Sequence, residues 1–504
     1  MPTPSSIACE YRFLIAAFSA LMIAVSFGIG VWAKKKANTA QAYFGGTAMF
    51  GPVAVGLSSM AGIASAFALV GVPGIIYTSG NAMTFWMLSG AAFAMSYIIL
   101  GKKVRAMAEI APISSLGDIC DVRFNHNRFI KALMSIIICL GCVGYLAAQI
   151  SAGSALIAQL VDIPPIVAGF LIFGLLTVYT ALSGEVGGLL SQAFQGFVMV
   201  LAGLVLIIAF FVVTGGFGNV LEAVSAVPEV TGSNGVTKTL GATLLDAWGT
   251  MPGGISLTWM LIPILGCVGQ PQVLTRMYAV KNPRDLPKAG LVTAVTHTIV
   301  GFLAVVAAYG ALYLVATGTI DPLVSGDQAI YAFSDYLGIW AQVLVYAAIL
   351  AAALSSASMF LTSSSTLISK DLTSALGIKI APEKQINVSR VFMFVLGAVS
   401  IVVSIYSTEM VALLGTFGWG TLVSGTFPVF VLGLLWERCN EKGVMCGVAV
   451  SLVFNIIPFF GFKFPSALPG YFITSALAVA VTVVVSIIVP KKELSPQLDA
   501  VLKL

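Results

Sequence analysis

Thirteen apolar stretches, each close to the length that crosses a lipid bilayer, occupy most of this chain. A spanning helix needs roughly 20 predominantly apolar residues to cross about 30 Å of hydrocarbon. Only 9% of the residues are charged, whereas a soluble domain carries about 25%. We therefore predict an all-α polytopic membrane protein with about 13 transmembrane helices. The predicted spans are approximately residues 13–33, 50–78, 83–101, 131–160, 165–183, 190–214, 255–278, 289–317, 336–368, 389–408, 409–436, 443–461 and 469–489.

Positive charge alternates in density from one loop to the next. If the amino terminus lies outside, 22 of the 25 lysines and arginines fall in inward loops, and such loops stay in the cytoplasm. We expect a multi-pass protein of the plasma (inner) membrane with its amino terminus outside and its carboxyl terminus cytoplasmic. The scattered charge forms no single basic patch, so the partner is the lipid bilayer and not a nucleic acid.

Two spans carry clusters of helix-breaking residues in their middles. Proline removes a ladder hydrogen bond and glycine adds backbone freedom, so both spans are candidates for a break inside the membrane. Non-helical backbone at that depth survives where it lines a cavity or is buried in protein. Ordinary kinks are the alternative. The predicted break residues are Gly71, Pro73 and Gly74 in the second span and Pro263, Gly266, Gly269 and Pro271 in the seventh.

The two candidate breaks lie five spans apart. Because five is odd, a repeat of five helices enters the membrane in the opposite sense the second time, which is the layout of an inverted-repeat transporter. The predicted fold is thus an inverted five-helix repeat, a leucine-transporter-like fold with broken helices 2 and 7. The expected units are 1–49 (peripheral first helix and inner loop), 50–214 (first repeat), 215–254 (external loop), 255–436 (second repeat) and 437–504 (two peripheral helices and cytoplasmic tail).

The coupling ion depends on which polar groups lie inside the membrane. All 20 acidic residues fall in loops or at span ends, with Glu185 expected at the interface, and no lysine or arginine is expected at depth. A proton-coupled carrier needs a titratable group within the membrane. His297, in the eighth span, is a possible proton site, and hydrogen-bonded packing is its alternative role.

Sodium requires only oxygen dipoles, which the ninth span offers. Ala352, Ser355 and Ser356 share one helical face by their three- and four-residue spacing. Their carbonyl and hydroxyl oxygens could meet carbonyls freed by a break near Ala61 and Ala64. Serines in membrane helices also bond back to the preceding turn or pack between helices, which is the alternative here.

Three segments resemble the sodium/solute symporter family. They are residues 349–356 with 369–372, residues 269–276, and residues 72–80, within a similarity that covers about 13–436. The resemblance implies sodium as the coupling ion. The sodium ligands that it implies are the backbone of Ala61, Ala64 and Ala352 and the side chains of Ser355 and Ser356.

The sequence departs from parts of this family. Proline symporters, which it resembles in the second and ninth spans, carry an aspartate at the position of Ile63, and many members carry another at Gln192. These differences argue against a second sodium ion. Residues 144–150 and Gln192 are similar to the acetate and short-chain monocarboxylate branch, which makes a small acid the first expected solute and an amino acid such as proline the second.

The solute pocket is expected between the broken helices. Without a basic side chain there, a carboxylate would be held by N–H groups at the half-helix ends and by donors on Tyr145 or Gln149. The expected substrate-binding residues are Phe67, Tyr145, Gln149, Cys267 and Gln270.

These features predict a secondary active transporter, a sodium-coupled symporter of a small organic solute that works by alternating access. A proton-coupled symporter, a channel or facilitator, and a membrane-embedded sensor are the alternatives. We find no metal-ligand cluster, nucleophile–base arrangement or phosphate loop, so we expect no enzyme and no cofactor beyond the sodium ion. The sequence leaves the oligomeric state open.

Overall fold

The computed structural model describes residues 11–36, 39–406, 411–462, 464, 468–490 and 493–504. Within its helices, the side chains of residues 159, 259–260, 262–264, 382 and 411–414 lie outside the description. Each predicted span overlaps helical structure. The α-helices are Arg12–Ala33, Ala40–Gly45, Pro52–Ile63, Val72–Ser79, Ser89–Ile99, Gly101–Ile110, Leu116–Arg123, Arg128–Val161, Pro165–Thr214, Phe217–Ala226, Gly253–Gly266, Pro271–Ala279, Leu286–Ala316, Ala329–Tyr336, Ile339–Thr366, Thr373–Ala375, Pro382–Tyr406, Val411–Thr426, Gly433–Leu435, Glu441–Ile456, Gly470–Ile488 and Pro496–Leu502.

Shorter helical segments of other types extend several of these helices. The 3-10 segments are Lys34–Lys36, Gly80–Leu88, Ala242–Leu245, Pro283–Asp285, Gly326–Gln328 and Ile457–Phe460, and the π-helical segments are Phe67–Gly71, Leu367–Leu372 and Phe427–Leu432. Ten helical stretches in the described residues are long and apolar enough to cross a bilayer, and Pro52–Ile63 is a further apolar helix that is too short to cross alone. The predicted all-α membrane architecture is confirmed.

The first broken helix is interrupted at Ala64 and Ser65. Ala64 has φ −75° and ψ 80°, so its carbonyl turns away from the helical ladder. The prediction that Gly71, Pro73 and Gly74 form the break is wrong, since all three lie in the helical part that follows. The helix of Pro73 follows the π-helical segment Phe67–Gly71 directly, so this proline lies within continuous helical structure. The first broken helix consists of Pro52–Ile63, Phe67–Gly71 and Val72–Ser79.

The second broken helix consists of Gly253–Gly266 and Pro271–Ala279. Residues 267–270 join the halves without helical structure, so the predicted residues Gly266, Gly269 and Pro271 stand at or within the interruption. Gly269 has φ +93°, a conformation that side-chain-bearing residues rarely adopt. Position 263 lies inside the first half, and the Pro263 side chain is outside the described residues.

A third irregularity lies in the kinked helix, Pro165–Thr214. It turns at Gly184, where φ is 57° and ψ is −145°, at the gap between the predicted spans 165–183 and 190–214. The kinked helix therefore supplies two of the predicted spans, and it brings the residue after the turn, Glu185, into the protein interior.

The serine helix, Ile339–Thr366, lies at the centre of the bundle. It packs against the kinked helix, Arg128–Val161 and the first half of the first broken helix. In the most apolar part of Ile339–Ala375, which contains the serine helix, 94% of the residues are buried, against 33% in that of Arg12–Lys36. The serine helix is therefore internal, and the first helix is peripheral.

The predicted external loop folds over the end of the first broken helix. Its strands, Glu229–Thr231 and Thr237–Thr239, pair antiparallel with Val230 opposite Lys238. The Lys238 ammonium donates to the Thr78 carbonyl at 3.2 Å and lies 5.0 Å from the centre of the Tyr77 ring. Burial there lowers the pKa of Lys238 to about 8.

Candidate functional site

Side chains of the Arg128–Val161 helix stabilise the first break. The Ala66 N–H, which lost its ladder partner at the break, donates to Gln149 Oε1 at 2.8 Å. The hydroxyls of Ser65 and Tyr145 are 2.7 Å apart. Because buried backbone groups need partners, these two contacts stabilise an interruption that contains neither glycine nor proline.

A cluster of neutral oxygens spans the gap between this break and the serine helix. Ser355 Oγ donates to Ala61 O at 2.6 Å and lies 3.1 Å from Ala352 O. Ser356 Oγ lies 3.1 Å from Gly62 O and 3.5 Å from Ala61 O. These five residues, the cation cluster, are buried.

The cation cluster has the chemistry of a site for a hard monovalent cation. Each serine hydroxyl carries one proton and two lone pairs, so it can donate to a carbonyl or rotate to present its oxygen to a cation alongside that carbonyl. Four of the five predicted sodium ligands are joined here by hydrogen bonds. The fifth, Ala64, lies at the break with its carbonyl released from the ladder.

An aromatic cavity lies on the other side of the break. The side chain of Ile63, one residue beyond the cation cluster, forms part of its wall. The lining residues are Ile63, Phe67, Trp86, Ser89, Phe93, Tyr145, Cys267, Gly415, Thr416, Trp419 and Tyr471.

The cavity wall is largely aromatic, and none of its described side chains is charged. Phe67 packs against Trp86 with ring centroids 6.1 Å apart, and Trp419 lies 6.0 Å from Tyr145 and 6.5 Å from Phe93. The indole N–H of Trp419 is buried without a partner among the described residues. An indole nitrogen only donates, and this one lies against Gly266, where an added Cβ would be 2.9 Å from it, so it is an unpartnered donor beside the second interruption.

Three of the five predicted substrate residues line this cavity, namely Phe67, Tyr145 and Cys267. Gln149 instead supports the break, as described above. Gln270 is buried within the second interruption, and both polar atoms of its side chain lack partners among the described residues. The other aromatic lining residues come from other spans and are Trp86, Phe93, Trp419 and Tyr471. The periodicity of those spans does not show which of their side chains face the break.

His297 lies behind the cavity wall. Its Nε2 is 3.0 Å from Ser89 Oγ, and its ring stands 5.0 Å from the rings of both Trp86 and Phe93. The side chain is fully buried. Its other ring nitrogen, Nδ1, is buried without a partner among the described residues, so a proton site and a packing role both stay predictions.

A buried ion pair lies on the opposite side of the cation cluster from the cavity. The guanidinium of Arg276 bonds to the Glu185 carboxylate, to Ser58 Oγ at 2.8 Å and to Gln192 Oε1 at 2.5 Å. Gln192 in turn donates to Ser358 Oγ at 2.8 Å. Both charged side chains are almost fully buried in the protein, whereas the sequence placed Glu185 at a span end and expected no buried basic residue.

The sequence did contain a signal for this buried arginine. Arg276 comes five residues after Pro271, and five residues of helix rise only about 7.5 Å. A side chain so close to a break within the membrane cannot lie in a loop. A charge at that depth requires a partner, and Glu185 beside the Gly184 turn supplies it.

Known proteins resemble this chain along most of its length. The family model described as Sodium:solute symporter family matches residues 43–451. The sodium/pantothenate symporter of Escherichia coli (strain K12) is 26% identical over 441 residues, which cover 85% of this chain and 87% of that protein. The osmoregulated proline transporter OpuE of Bacillus subtilis (strain 168) is 25% identical over 437 residues, covering 84% of each chain.

A solved structure gives the same picture of the fold. The substrate-bound outward-open state of a Na+-coupled sialic acid symporter superposes with a TM-score of 0.74 at 19% identity, covering 95% of this chain and 99% of that one. This likeness shows a shared fold, the inverted five-helix repeat predicted from the spacing of the two broken helices.

Proposed function

We propose that this chain, which belongs to the Sodium:solute symporter family, uses the cation cluster to couple sodium entry to the uptake of a small organic acid. The family is one of transporters, so the chain is a transporter and not an enzyme. Sodium and solute bind between the broken helices from outside, the bundle rocks, and both leave to the cytoplasm.

One observation carries this proposal: the cation cluster and the aromatic cavity share the first break. Ala61 and Gly62 contribute carbonyls to the cluster, and Ile63 is part of the cavity wall. A sodium ion at Ser355 and Ser356 would fix the backbone against which the solute packs. Two ligands that favour the same arrangement of one segment raise each other's affinity, which is the requirement for coupled transport.

The unpartnered indole N–H of Trp419 supports a carboxylate as the solute's polar group. A buried donor without a partner costs about 1–3 kcal/mol, and a carboxylate oxygen would relieve that cost with a charge-assisted bond. The relative named for pantothenate is named for a carboxylate as well. A short-chain monocarboxylate is therefore the first candidate.

An amino acid such as proline is the second candidate, favoured by the aromatic wall. An ammonium group within about 6 Å of an aromatic face is attracted to it, and Phe67, Trp86 and Trp419 offer such faces. The two candidates differ in charge movement. One sodium ion with a monoanion is electroneutral, whereas one with a zwitterion carries a charge, worth about 2.3 kcal/mol per 100 mV.

We also infer the orientation from the charge distribution, with the amino terminus outside and the carboxyl terminus cytoplasmic. In that orientation the serine helix runs inward, so the ion pair of Arg276 and Glu185 lies on the cytoplasmic side of the cation cluster.

Uptake into proteoliposomes tests this function. Labelled acetate, pantothenate and proline are offered under a sodium gradient at fixed pH, and then under a pH gradient without sodium. We expect a sodium gradient to drive uptake of a carboxylate, and Trp419→Phe, which keeps a ring but loses the N–H, to raise its half-saturation concentration. Sodium-independent equilibration would indicate a facilitator, and uptake that follows only the pH gradient would indicate proton coupling.

A further inference from the structure

A second, small cavity with a mainly polar wall lies at the inner end of the serine helix. Hydroxyl groups dominate its wall, and one carboxylate faces it. We call this space the inner vestibule. The polar residues that define it are Ser114, Glu185, Thr275, Thr362, Ser363 and Thr366.

The inner vestibule continues the face of the serine helix that carries the cation cluster. Thr362 follows Ser355 by seven residues, which is two turns and about 10 Å along the same face. Met359 lies between them, fully buried. An ion that leaves Ser355 along this face passes one flexible apolar side chain before it meets oxygen ligands again.

The oxygens of the inner vestibule suit a monovalent cation. Thr362 Oγ1 lies 3.1 Å from Glu185 Oε2 and 2.9 Å from Met359 O. The Thr362 hydroxyl has one proton, so it donates to one of these two oxygens at a time. Its lone pairs remain available to a cation. Thr275 Oγ1 is buried without a partner among the described residues, on a side chain only 6% exposed, so a further oxygen ligand faces this space.

Arg276 sets the strength of such a site. Its guanidinium bonds to the other carboxylate oxygen, Glu185 Oε1, so the net local charge before a cation binds is close to zero. A cation is therefore held by one carboxylate oxygen and hydroxyl dipoles against a nearby positive charge. This favours weak binding, as a point of passage requires.

We propose that the inner vestibule is a second, weaker sodium site, through which the ion passes from the cation cluster to the cytoplasm. The sequence argued against a second sodium ion because Ile63 and Gln192 replace carboxylates of the family, but the vestibule uses a different carboxylate, that of Glu185. Glu185 Oε2, Thr362 Oγ1 and Thr275 Oγ1 are its ligands, and Met359 separates the two sites. This proposal rests on the proposed sodium coupling, and it adds an intermediate binding site on the path by which the ion is released.

Equilibrium binding of ²²Na⁺ to the purified full-length protein tests the proposal without knowledge of the solute. The wild type is expected to bind sodium in two classes, one tight and one weak. Ser355→Ala should remove the tight class and leave the weak one. Thr362→Val and Thr275→Val should each weaken the weak class by about tenfold while the tight class persists.

Thr482→Val is the matched control, since among the described residues this buried threonine bonds back to its own helix, at Ala478 O. It should bind sodium as the wild type does. Thr362→Val and Thr275→Val leave the ion pair of Glu185 and Arg276 in place. They therefore test the site without the destabilisation that loss of that pair would cause. A single sodium class, lost in Ser355→Ala and unchanged in Thr362→Val, overturns the vestibule site and leaves the proposed function standing. No sodium binding by the wild type overturns both.

Discussion

Removing one charge of the buried Arg276–Glu185 pair should destabilise the protein more than replacing both residues together. Arg276 is fully buried and Glu185 nearly so, and breaking such a pair leaves an uncompensated charge that costs about 3–5 kcal/mol. Arg276→Gln also disturbs the bonds to Ser58 and Gln192, so we expect a loss at the upper end of this range. Glu185→Gln, which leaves the cation behind, should fall at the lower end.

The double variant Glu185→Leu/Arg276→Met replaces the pair with apolar side chains of similar volume, a change that is often close to neutral. We expect its stability to lie between that of the wild type and that of either single variant, so the two effects are not additive. The measurement is the temperature at which the detergent-solubilised protein loses its monodisperse peak in size-exclusion chromatography. Lys288→Gln is the control, because its pair with Asp285 is exposed and worth about 0–1 kcal/mol. Single variants as stable as the wild type, or a double variant that loses the sum of the two, would refute the reasoning.

Four further outcomes follow from the site and the topology. Gln149→Ala should raise the half-saturation concentrations of both solute and sodium in uptake assays, because losing the acceptor of the Ala66 N–H costs about 1–3 kcal/mol at the break. Tyr145→Phe keeps the ring that lines the cavity and should change solute affinity by less than Gln149→Ala does, and a larger change would place the Tyr145 hydroxyl on the solute. His297→Gln should retain substantial sodium-driven uptake, and its complete loss together with the pH response would favour proton coupling. In intact cells, Lys238→Cys should react with an impermeant maleimide, whereas labelling of a cysteine at Lys35 would reverse the orientation.

The all-α architecture could be predicted from the length and hydropathy of the spans, because a chain in lipid must make its backbone hydrogen bonds within helices. Helical spacing also predicted which groups of the serine helix share a face. The structure brings Ala352, Ser355 and Ser356 together with Ala61 across the gap. Their role as sodium ligands stays a prediction.

The position of the first break could not be predicted from breaker residues. It lies at Ala64 and Ser65, which have no intrinsic tendency to end a helix. The partners that stabilise it, Tyr145 and Gln149, are about 80 residues away in sequence. In the second broken helix the conformation itself demands a glycine, at Gly269, and there the sequence located the break.

The aromatic cavity was only partly predicted, for the same physical reason. Phe67 and Tyr145 lie beside the first break and were among the predicted substrate residues. Trp86, Phe93 and Trp419 reach the cavity from other helices, and their direction depends on how those helices pack and not on their local sequence.

The sodium dependence of uptake in Ser355→Ala and Ser356→Ala tests the central claim most directly. Ser96→Ala is the control, since within the part of the chain that the structure describes this buried serine bonds to its own helix, at Ala92 O. Loss of one hydroxyl ligand costs about 1–3 kcal/mol, or roughly five- to 150-fold in the sodium concentration for half-maximal uptake. We predict that shift in both variants, at wild-type expression and with Ser96→Ala unchanged. Wild-type sodium activation in both Ser355→Ala and Ser356→Ala would contradict the account.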